Sequence, residues 1–301
     1  MKTSADGDHL VVCTGTDAAG NTTTTTTQHL KLDTGPPAVT FAQTPNGTNG
    51  WFKTSPAKVR ATATDASGIS SLTCKLDNAS TTLGSVTTTS TSTAGDVQTS
   101  AQGDHTVVCT ATDNTGNTTV STAQHLKLDS VVPALTVANI TVDPAGATGT
   151  TVSSYSTTAS DATSPPVTLT CNPASPHLFA IGDTTVSCTA TDQAGNATTK
   201  TFTVHVRTPV ELVAVLRDMV TGASPPLGGT LVPILSAQLD FVTQYLNWKP
   251  KPKPVDACSH LTEFTNRIAT EMVKPKPAMT KTQATALTNY ANAIRPLIPC
   301  S

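Results

Sequence analysis

The sequence has few aromatic and few charged residues. Aromatic residues make up 4% of the 301 positions and charged residues 13%. The formal net charge is −2, which excludes the strongly basic surface that nucleic-acid-binding domains carry. No apolar run approaches the ~20 residues that a membrane-spanning helix needs. We therefore expect a water-soluble chain with no nucleic-acid partner and no membrane span.

Glutamate is absent from the first two thirds of the chain. Before Arg207 there are 14 Asp residues and no Glu, and all three Glu residues follow it. Threonine is abundant instead, with 61 residues in the whole sequence. Because Glu favours helices, Asp favours turns and Thr favours strands, this bias predicts strands joined by tight turns up to Arg207 and helices after it.

A repeat organises the part of the chain before Arg207. Residues 7–33 recur as residues 103–129 with 20 of 27 positions identical, and residues 182–206 form a looser third copy. Internal repetition of this length indicates an array of similar domains. Prolines at the boundaries stiffen the joints between them. The domains predicted from these boundaries are a hairpin at 1–35, two complete β-sandwiches at 36–129 and 130–207, and a helical domain at 208–301.

The second copy of the repeat shows the pattern of a β-hairpin. Val107, Cys109 and Ala111 alternate with residues of the opposite face, which is the period of a strand with one buried side. The Asp, Gly and Asn residues of segment 113–117 are typical of a hairpin turn. Each copy is therefore predicted to supply the last strands of a sandwich domain.

Residues 130–207 resemble the HYR (hyalin repeat) family. The segment VTLTCNPASPHLFAIGDTTVSCTATDQAGN carries its Cys, Phe-x-x-Gly and Thr-Val-x-Cys-x-Ala-x-Asp-x-x-Gly-Asn pattern, although the family's more N-terminal Cys pair is missing. Residues 36–129, with PNGTNGWFKTSPAKVRATATDASGIS, are similar to bacterial Ig-like repeats. The resemblance implies tandem immunoglobulin-like antiparallel β-sandwiches in a secreted or surface protein, with adhesion or spacing roles and no defined ligand.

Six of the seven cysteines are predicted to pair as Cys74–Cys109, Cys171–Cys188 and Cys258–Cys300. The first pair falls on inward strand positions of one sandwich and the second pair on inward positions of the next, and the third pair meets if the last two helices are antiparallel. Metal binding is the alternative, but it favours Cys-x-x-Cys spacing or nearby His ligands, and neither occurs. Disulfides indicate an oxidising, extracellular setting.

Cys13 is predicted to be unpaired through truncation. By the repeat it corresponds to Cys109, so its partner is expected 35 residues upstream, before Met1. The first residues also lack the apolar core of a signal peptide. A reactive free thiol is the alternative. These observations predict that the sequence is part of a longer secreted chain.

The apolar residues after Arg207 recur with helical spacing, which predicts an all-α bundle of four helices. Residues 208–211 and 280–283 form capping boxes that begin the first and the last helix. The second helix is predicted from Gly229 to Leu246, and the third from a cap at Asp256. This segment resembles the FIMAH-type helical domain found at the C-terminus of secreted bacterial proteins. The resemblance implies no particular biochemical role.

Two Lys-Pro strings, at 249–254 and 274–277, interrupt the helices. One hypothesis is a basic patch that contacts anionic glycans or wall polymer, because extended Lys-Pro segments hold charge away from the surface. The alternative, which we favour, is a solvated connection that breaks helices.

The sequence contains no motif of a known catalytic site. A nucleophile elbow, a phosphate-binding loop, a dinucleotide fingerprint and a zinc-protease helix are all missing. The histidines at 9 and 29 recur at 105 and 125, so their placement is expected to serve the fold. We therefore predict no catalytic, cofactor-binding or metal-binding residue, and no enzyme.

Two alternatives to this prediction stay open. Asp33, Asp65, Asp113 and Asp129 lie near the predicted joints, where calcium could bind carboxylate and carbonyl oxygens, although turn chemistry explains each of them as well. Trp51 could be an exposed platform for a glycan, but its position at a strand start favours packing in the core or at a joint.

The sequence thus predicts a non-catalytic extracellular or cell-surface protein, built as a disulfide-stapled stalk for structure or adhesion. Thr-rich strand faces suit such a stalk, because they are hydrated and offer no apolar patch for aggregation. The main alternative is the accessory tail of a secreted bacterial enzyme whose catalytic domain lies upstream. A weaker alternative is a carbohydrate-binding module. The expected partner is a surface glycan or protein of unknown identity.

Overall fold

The computed structural model describes residues 5–248 and 252–300, with strands before Arg207 and helices after it. The strands are β1 Gly7–Val11, β2 Thr14–Thr16, β3 Thr22–Thr24, β4 Gln28–Leu32, β5 Ala38–Ala42, β6 Trp51–Phe52, β7 Ala57–Thr64, β8 Ile69–Leu76, β9 Ala79–Thr81, β10 Gly84–Thr88, β11 Ser92–Thr99, β12 Gly103–Asp113, β13 Thr118–Val120, β14 Gln124–Leu128, β15 Ala134–Thr136, β16 Ile140–Val142, β17 Thr150–Val152, β18 Thr158–Ser160, β19 Thr168–Asn172, β20 His177–Phe179, β21 Gly182–Thr191 and β22 Ala197–Val206. The helices are α1 Pro209–Thr221, α2 Leu231–Leu246, α3 Pro254–Met272 and α4 Lys281–Ile294, followed by a 3₁₀ turn at Arg295–Leu297.

The chain divides into two compact units. The first consists of the residues up to Ala134 together with Ser160–Thr168 and Thr191–Thr198. The second consists of Leu135–Ala159, Leu169–Ala190 and the residues from Thr199 onward.

The repeat in the first unit forms hairpins of the same register. In the first copy β1 pairs with β4 and β2 with β3, all antiparallel, with Gly7 opposite Leu32. In the second copy β12 pairs with β14 and β13, and Gly103 stands opposite Leu128. The equivalent positions of the two sequences are therefore equivalent strand pairs in the structure.

The second hairpin belongs to a two-layer sandwich. One sheet has the order β10-β11-β7-β5, and the other has the order β6-β14-β12-β8-β9, with β13 beside β12. Alternate residues of β7 and β12 point inward, as the period of two predicts. The core between the sheets consists mainly of small aliphatic side chains, with Phe52 and Phe41 as its aromatic members. Apart from the short parallel pair β6–β14, its strands pair antiparallel, in agreement with the predicted fold class.

The strands from β15 to β22 form a second β-region. They are arranged as β16-β22-β21-β19, with the two-stranded pairs β15-β18 and β17-β20. In the second unit Tyr155 packs edge-on against Phe202 and Phe179, with ring centroids 5.3 and 6.4 Å apart. Phe179 and Phe202 are buried, so these rings lie in the interior of the region.

Capping boxes begin the first and the last helix of the helical region. The capping box of α1 joins Thr208 and Glu211, and that of α4 joins Thr280 and Gln283. The predicted start of α3 at an Asp256 cap is wrong, because α3 begins at Pro254 and Asp256 lies in its first turn. Proline is preorganised for the first helical position, where its missing N–H costs nothing.

The second helix begins two residues later than predicted. It starts at Leu231, because Gly229 has a φ of +61° and lies outside the helix. The four helices enclose one apolar cluster in which the largest fully buried side chains are Leu216, Leu235, Leu239, Leu261, Phe264, Ile268 and Ile294.

Candidate functional site

The turn at 113–117 is organised by one buried carboxylate. Asp113 Oδ1 accepts hydrogen bonds from the backbone N–H groups of Thr115 and Asn117, at 2.8 and 2.9 Å. Its Oδ2 accepts one from the side-chain amide of Asn117 at 2.8 Å. Gly116 takes a φ of +99°, which glycine adopts without the strain that other residues would meet. The Asp-x-x-Gly-Asn sequence is therefore required by the turn itself.

The Asn side chain of this turn also binds the segment that precedes the sandwich. Asn117 Nδ2 lies 3.3 Å from the carbonyl oxygen of Asp33 and 3.2 Å from that of Gly35. Proline residues 36 and 37 follow directly, so this is the predicted boundary segment. The turn thus fixes the backbone of the linker as well as its own hairpin.

The same arrangement recurs in the turn at 192–196. Asn196 Nδ2 donates to the carbonyl oxygen of Asp129 and to Asp192 Oδ2, both at 3.0 Å. In each arrangement an Asn–Asp pair holds a backbone carbonyl of a linker. We call the pair Asn117–Asp113 the first linker clamp and the pair Asn196–Asp192 the second linker clamp. The first copy has the same internal bond, in which Asn21 Nδ2 donates to Asp17 Oδ2 at 2.8 Å.

Further hydrogen bonds surround the second linker clamp. Asp129 Oδ2 accepts a hydrogen bond from Ser164 Oγ, and both residues are buried. Lys53 Nζ donates to the carbonyl oxygen of Gly195 at 2.7 Å, and Asn49 Nδ2 donates to that of Gln193 at 2.9 Å. The 192–196 turn is therefore held from the linker and from residues on both sides of β6.

The hydrogen bonds of the first clamp stabilise the charge of Asp113. Burial works to raise the pKa of this carboxyl, but the hydrogen bonds from Asn117 and Thr115 outweigh it and lower the pKa to about 2. Asp113 is thus an ionised acceptor at neutral pH. Charged acceptors form stronger hydrogen bonds than neutral ones, which strengthens the turn.

Two groups of three aspartates lie beside the linker clamps, and within each group one oxygen per carboxylate is within 4.8 Å of the others. The groups are Asp33, Asp65 and Asp113, and Asp129, Asp161 and Asp192. Oxygen ligands of this kind could hold a calcium ion. Each carboxylate also accepts a hydrogen bond from a nearby backbone N–H, so turn formation accounts for all six. Sequence reasoning had named four of them.

The repeated histidines pair with repeated aspartates. His29 contacts Asp8, His125 contacts Asp104 and His205 contacts Asp183, with Nδ1 to carboxylate distances of 2.8, 2.8 and 2.6 Å. These contacts are hydrogen bonds across neighbouring strands at the surface of each hairpin. They give the recurrence of the histidines a structural explanation.

The structure brings together the three cysteine pairs. Cys74 and Cys109 stand directly opposite each other on β8 and β12, and Cys171 and Cys188 lie on the neighbouring strands β19 and β21. Both pairs have Cα atoms 4.0 Å apart. The bonds therefore join adjacent strands of one sheet. The sequence did not determine whether they would do this or join the two layers of the sandwich.

The third pair joins the start of α3 to the segment that follows α4, and the remaining cysteine is free. Cys258 in α3 bonds Cys300, 42 positions later in the sequence, and their Cα atoms are 5.8 Å apart. Cys13 is unpaired and exposed. Trp51 is buried, as packing in the core or at a joint requires, and Lys127 Nζ lies 5.7 Å from its ring centroid.

Sequence reasoning missed Asn117 and Asn196 as joint residues. The available signal was the Asp-x-x-Gly-Asn motif, which occurs at 17–21, 113–117 and 192–196. As a sequence pattern, each motif predicts a turn and gives no sign of a contact with the linker. The basic-patch hypothesis depends partly on Lys249 and Lys251, which lie outside the described residues.

Comparison with known families assigns the β-rich region. A model of the bacterial Ig-like domain matches residues 43–130, and a model of the HYR domain matches residues 128–206. The chain contains a bacterial Ig-like domain followed by a HYR domain. The first linker clamp therefore holds the segment that leads into the Ig-like domain. The second lies where the Ig-like and HYR domains meet.

The solved structures that resemble the chain have similar β-domains. The fibronectin(III)-like modules of Clostridium thermocellum CbhA align with 16% identity and a TM-score of 0.30, over 56% of this chain and 94% of theirs. The Ig1-2 module of the Drosophila receptor protein tyrosine phosphatase DLAR aligns with 12% identity and a TM-score of 0.25, over 57% and 100%. These scores are too low to transfer a function. No curated protein matches the sequence.

The domain families indicate the general role of the Ig-like and HYR chain. Ig-like and HYR domains are typically non-catalytic structural or adhesion modules. With the three disulfides they indicate an extracellular location. In residues 5–248 and 252–300, no helix has the length and apolarity to cross a membrane.

Proposed function

We propose that the chain is a non-catalytic stalk on a bacterial cell surface, whose consecutive β-domains are held at fixed joints and which presents its terminal domains for adhesion. The observation that carries this proposal is the linker clamp, which occurs twice with the same residue types. A repeated bond from a domain turn to the linker backbone suits a protein whose domains must keep a constant orientation.

The physical argument concerns the entropy of the linker. A flexible connection between two domains lets them rotate freely, whereas fixing one residue's backbone costs about 1–2 kcal/mol of conformational entropy. The clamps supply hydrogen bonds that offset this cost, one part-buried at Asp33 and one buried at Asp129. Pro36, Pro37 and Pro133 reduce it further, because proline has little φ freedom to lose.

Each β-domain is also closed covalently, which suits an exposed protein that meets proteases and shear. Adjacent strands that a disulfide joins cannot separate at that point while the bond is intact. The proposal includes two further points. The helical domain is of the FIMAH type, and the stalk contacts a surface glycan or protein.

Limited proteolysis of the second linker, the segment around Asp129 to Pro133, tests whether this joint is fixed. Val131 and Val132 are exposed by 51% and 54%, and elastase cleaves after small aliphatic residues of mobile segments. We expect slow cleavage in the native chain and cleavage several times faster in Asn196→Ala. The matched control is Asn21→Ala, which removes the same turn bond in the first copy. If elastase cleaves the native chain and Asn196→Ala at one rate, the joint is not held by the clamp.

A further inference from the structure

The exposed aromatic residues of this chain are confined to α2 and the residues that directly follow it. The sequence contains 11 Phe, Tyr and Trp residues, all within the described ranges, and nine of them are buried or half-buried. The two exposed ones are Phe241 and Trp248 of the α2 region, with 43% and 37% of their surface accessible. Phe241 lies in α2, and Trp248 follows the end of this helix and stacks on Tyr245 of its last turn.

These rings form a stack together with a histidine of α3. The Phe241 ring centroid is 4.8 Å from that of His260, with 20° between the ring planes. Tyr245 lies 5.5 Å from His260 at 9°, and Trp248 lies 5.9 Å from Tyr245 at 22°. We call Phe241, His260, Tyr245 and Trp248, together with Lys253, the aromatic strip.

The aromatic strip is held in place by hydrogen bonds beneath it. His260 Nδ1 lies 2.9 Å from Gln238 Oε1 and 3.1 Å from Glu263 Oε2, so its ring orientation is fixed from both α2 and α3. A ligand that binds preorganised rings does not have to order them first, and this improves affinity. The same polar groups border the rings with hydrogen-bonding atoms.

One positive charge of the aromatic strip is left without a carboxylate partner. Lys253 Nζ stands 4.4 Å from the ring centroid of Trp248, in cation–π contact. Across the described chain, no carboxylate oxygen lies within 4.0 Å of Lys253, whereas Glu263 is paired with His260 and Asp240 with Arg217. The Lys253 ammonium is therefore available to pair with a carboxylate of a ligand.

We propose that the aromatic strip binds an acidic polysaccharide, a polymer with carboxylate-bearing sugar units. The apolar C–H face of a sugar ring packs against the exposed rings of Phe241 and Trp248, and a sugar carboxylate pairs with Lys253. Gln238 borders the rings and can bond sugar hydroxyls. The inference rests on the proposed adhesive function and names the class of its ligand.

Affinity electrophoresis of the full disulfide-bonded chain tests this assignment. Native gels that contain polygalacturonate should retard the chain, and gels that contain neutral dextran should leave its mobility unchanged. The retardation should weaken as salt is added, because ions screen the pairing of Lys253 with carboxylates. Absence of retardation by polygalacturonate, or equal retardation by dextran, would overturn the proposal.

Variants separate the aromatic strip from the rest of the surface. Trp248→Ala and Lys253→Gln should each raise the dissociation constant for polygalacturonate about tenfold, the change that a cation–π contact or a charge pair can produce. Lys253→Arg keeps the charge and should bind as the native chain does. The matched control is Lys276→Gln, an exposed lysine of the other Lys-Pro string. Unchanged binding in Trp248→Ala would show that the polymer binds elsewhere.

The elastase assay keeps this test independent of the stalk proposal. Trp248→Ala should bind polygalacturonate about tenfold more weakly and still be cleaved slowly at the second linker. A chain that is cleaved slowly and binds no acidic polymer contradicts the ligand assignment alone. A chain that binds the polymer and is cleaved rapidly contradicts the fixed joint alone.

Discussion

The side-chain amide of Asn196 donates a 3.0 Å hydrogen bond to the backbone carbonyl of Asp129, 67 positions earlier in the chain. Both residues are buried, so the carbonyl has no access to water if the amide is removed. An unsatisfied buried carbonyl costs free energy that a solvated one does not. The bond therefore links the stability of the HYR domain to the position of the linker that precedes it.

Replacing Asn196 should destabilise the HYR domain. Asn196→Ala removes the bonds to Asp129 and Asp192, and leaving a buried acceptor unsatisfied costs about 1–3 kcal/mol of unfolding free energy. Hydrogen exchange of the β21 and β22 amides measures this loss locally. Asn21→Ala is the control, because the Asp17–Asn21 turn is exposed and should lose less. Equal losses in the two variants would mean that the buried linker contact contributes nothing.

Opening the Cys74–Cys109 bond should destabilise the Ig-like domain by about 3–4 kcal/mol, the entropy that closing a loop of this length removes from the unfolded chain. The double variant Cys74→Ala/Cys109→Ala, unfolded in urea, measures the change. In a Trp248→Phe background the fluorescence of buried Trp51 reports this domain.

The exposed free cysteine supplies the control for that experiment. Cys13→Ser should leave the urea midpoint of the Ig-like domain unchanged, because Cys13 has no disulfide partner in the described chain. A shift in the control as large as that of the double variant would show that the method does not isolate the bond.

Acid should weaken the first linker clamp through Asp113. Its pKa is about 2 when folded, below the ordinary 3.8, so the unfolded chain binds the proton more readily. The stabilisation is complete above about pH 4 and is lost as the pH falls through 2. Calorimetric melts between pH 2 and 5 should show a shallower decline of Tm for Asp113→Asn than for the native chain. Parallel declines would remove Asp113 from the account.

Thermal melts at neutral pH test the calcium alternative. The native chain is heated once with calcium and once with a chelator at neutral pH. Equal Tm values would assign the aspartates beside the clamps to turn formation alone. A higher Tm with calcium that disappears in Asp65→Asn would assign them an ion, since Asp65 lies outside the 113–117 turn.

Raising the pH should weaken the junction of β22 with α1. His205 Nδ1 is 2.6 Å from Asp183 and its Nε2 is 3.1 Å from Glu211. The hydrogen bond to Asp183 raises the pKa of His205; burial opposes this rise, and the charge of Glu211 adds to it. The stabilisation is present below the ordinary pKa of 6.5 and is lost as the pH rises through the raised value.

An NMR titration of the His205 ring measures this shift directly. We expect a pKa above 6.5 in the native chain and a lower one in Glu211→Gln, which removes one of the two negative partners. Asp183→Asn should lower the pKa further, because its hydrogen bond is the larger cause. A native pKa at or below the ordinary value would contradict the ion pairs.

Local patterns in the sequence predicted most of the fold. The period of two around Cys109 predicted its strand and inward face, and the boxes at Thr208 and Thr280 predicted two helix starts. The linker clamps escaped prediction because the acceptors of Asn117 and Asn196 are backbone carbonyls far away in sequence, which leave no residue-type signal. The aromatic strip escaped because His260 belongs to a different helix from the other rings.

Whether the joint between the Ig-like and HYR domains is fixed can be measured with a pair of spin labels. Lys75 and Thr168 are exposed positions of the two domains in the first unit, and labels can be attached there through unnatural amino acids. Pulsed electron paramagnetic resonance should give one narrow distance distribution for the native chain and a broad one for Asn196→Ala. A broad distribution in the native chain would contradict a stalk with fixed joints.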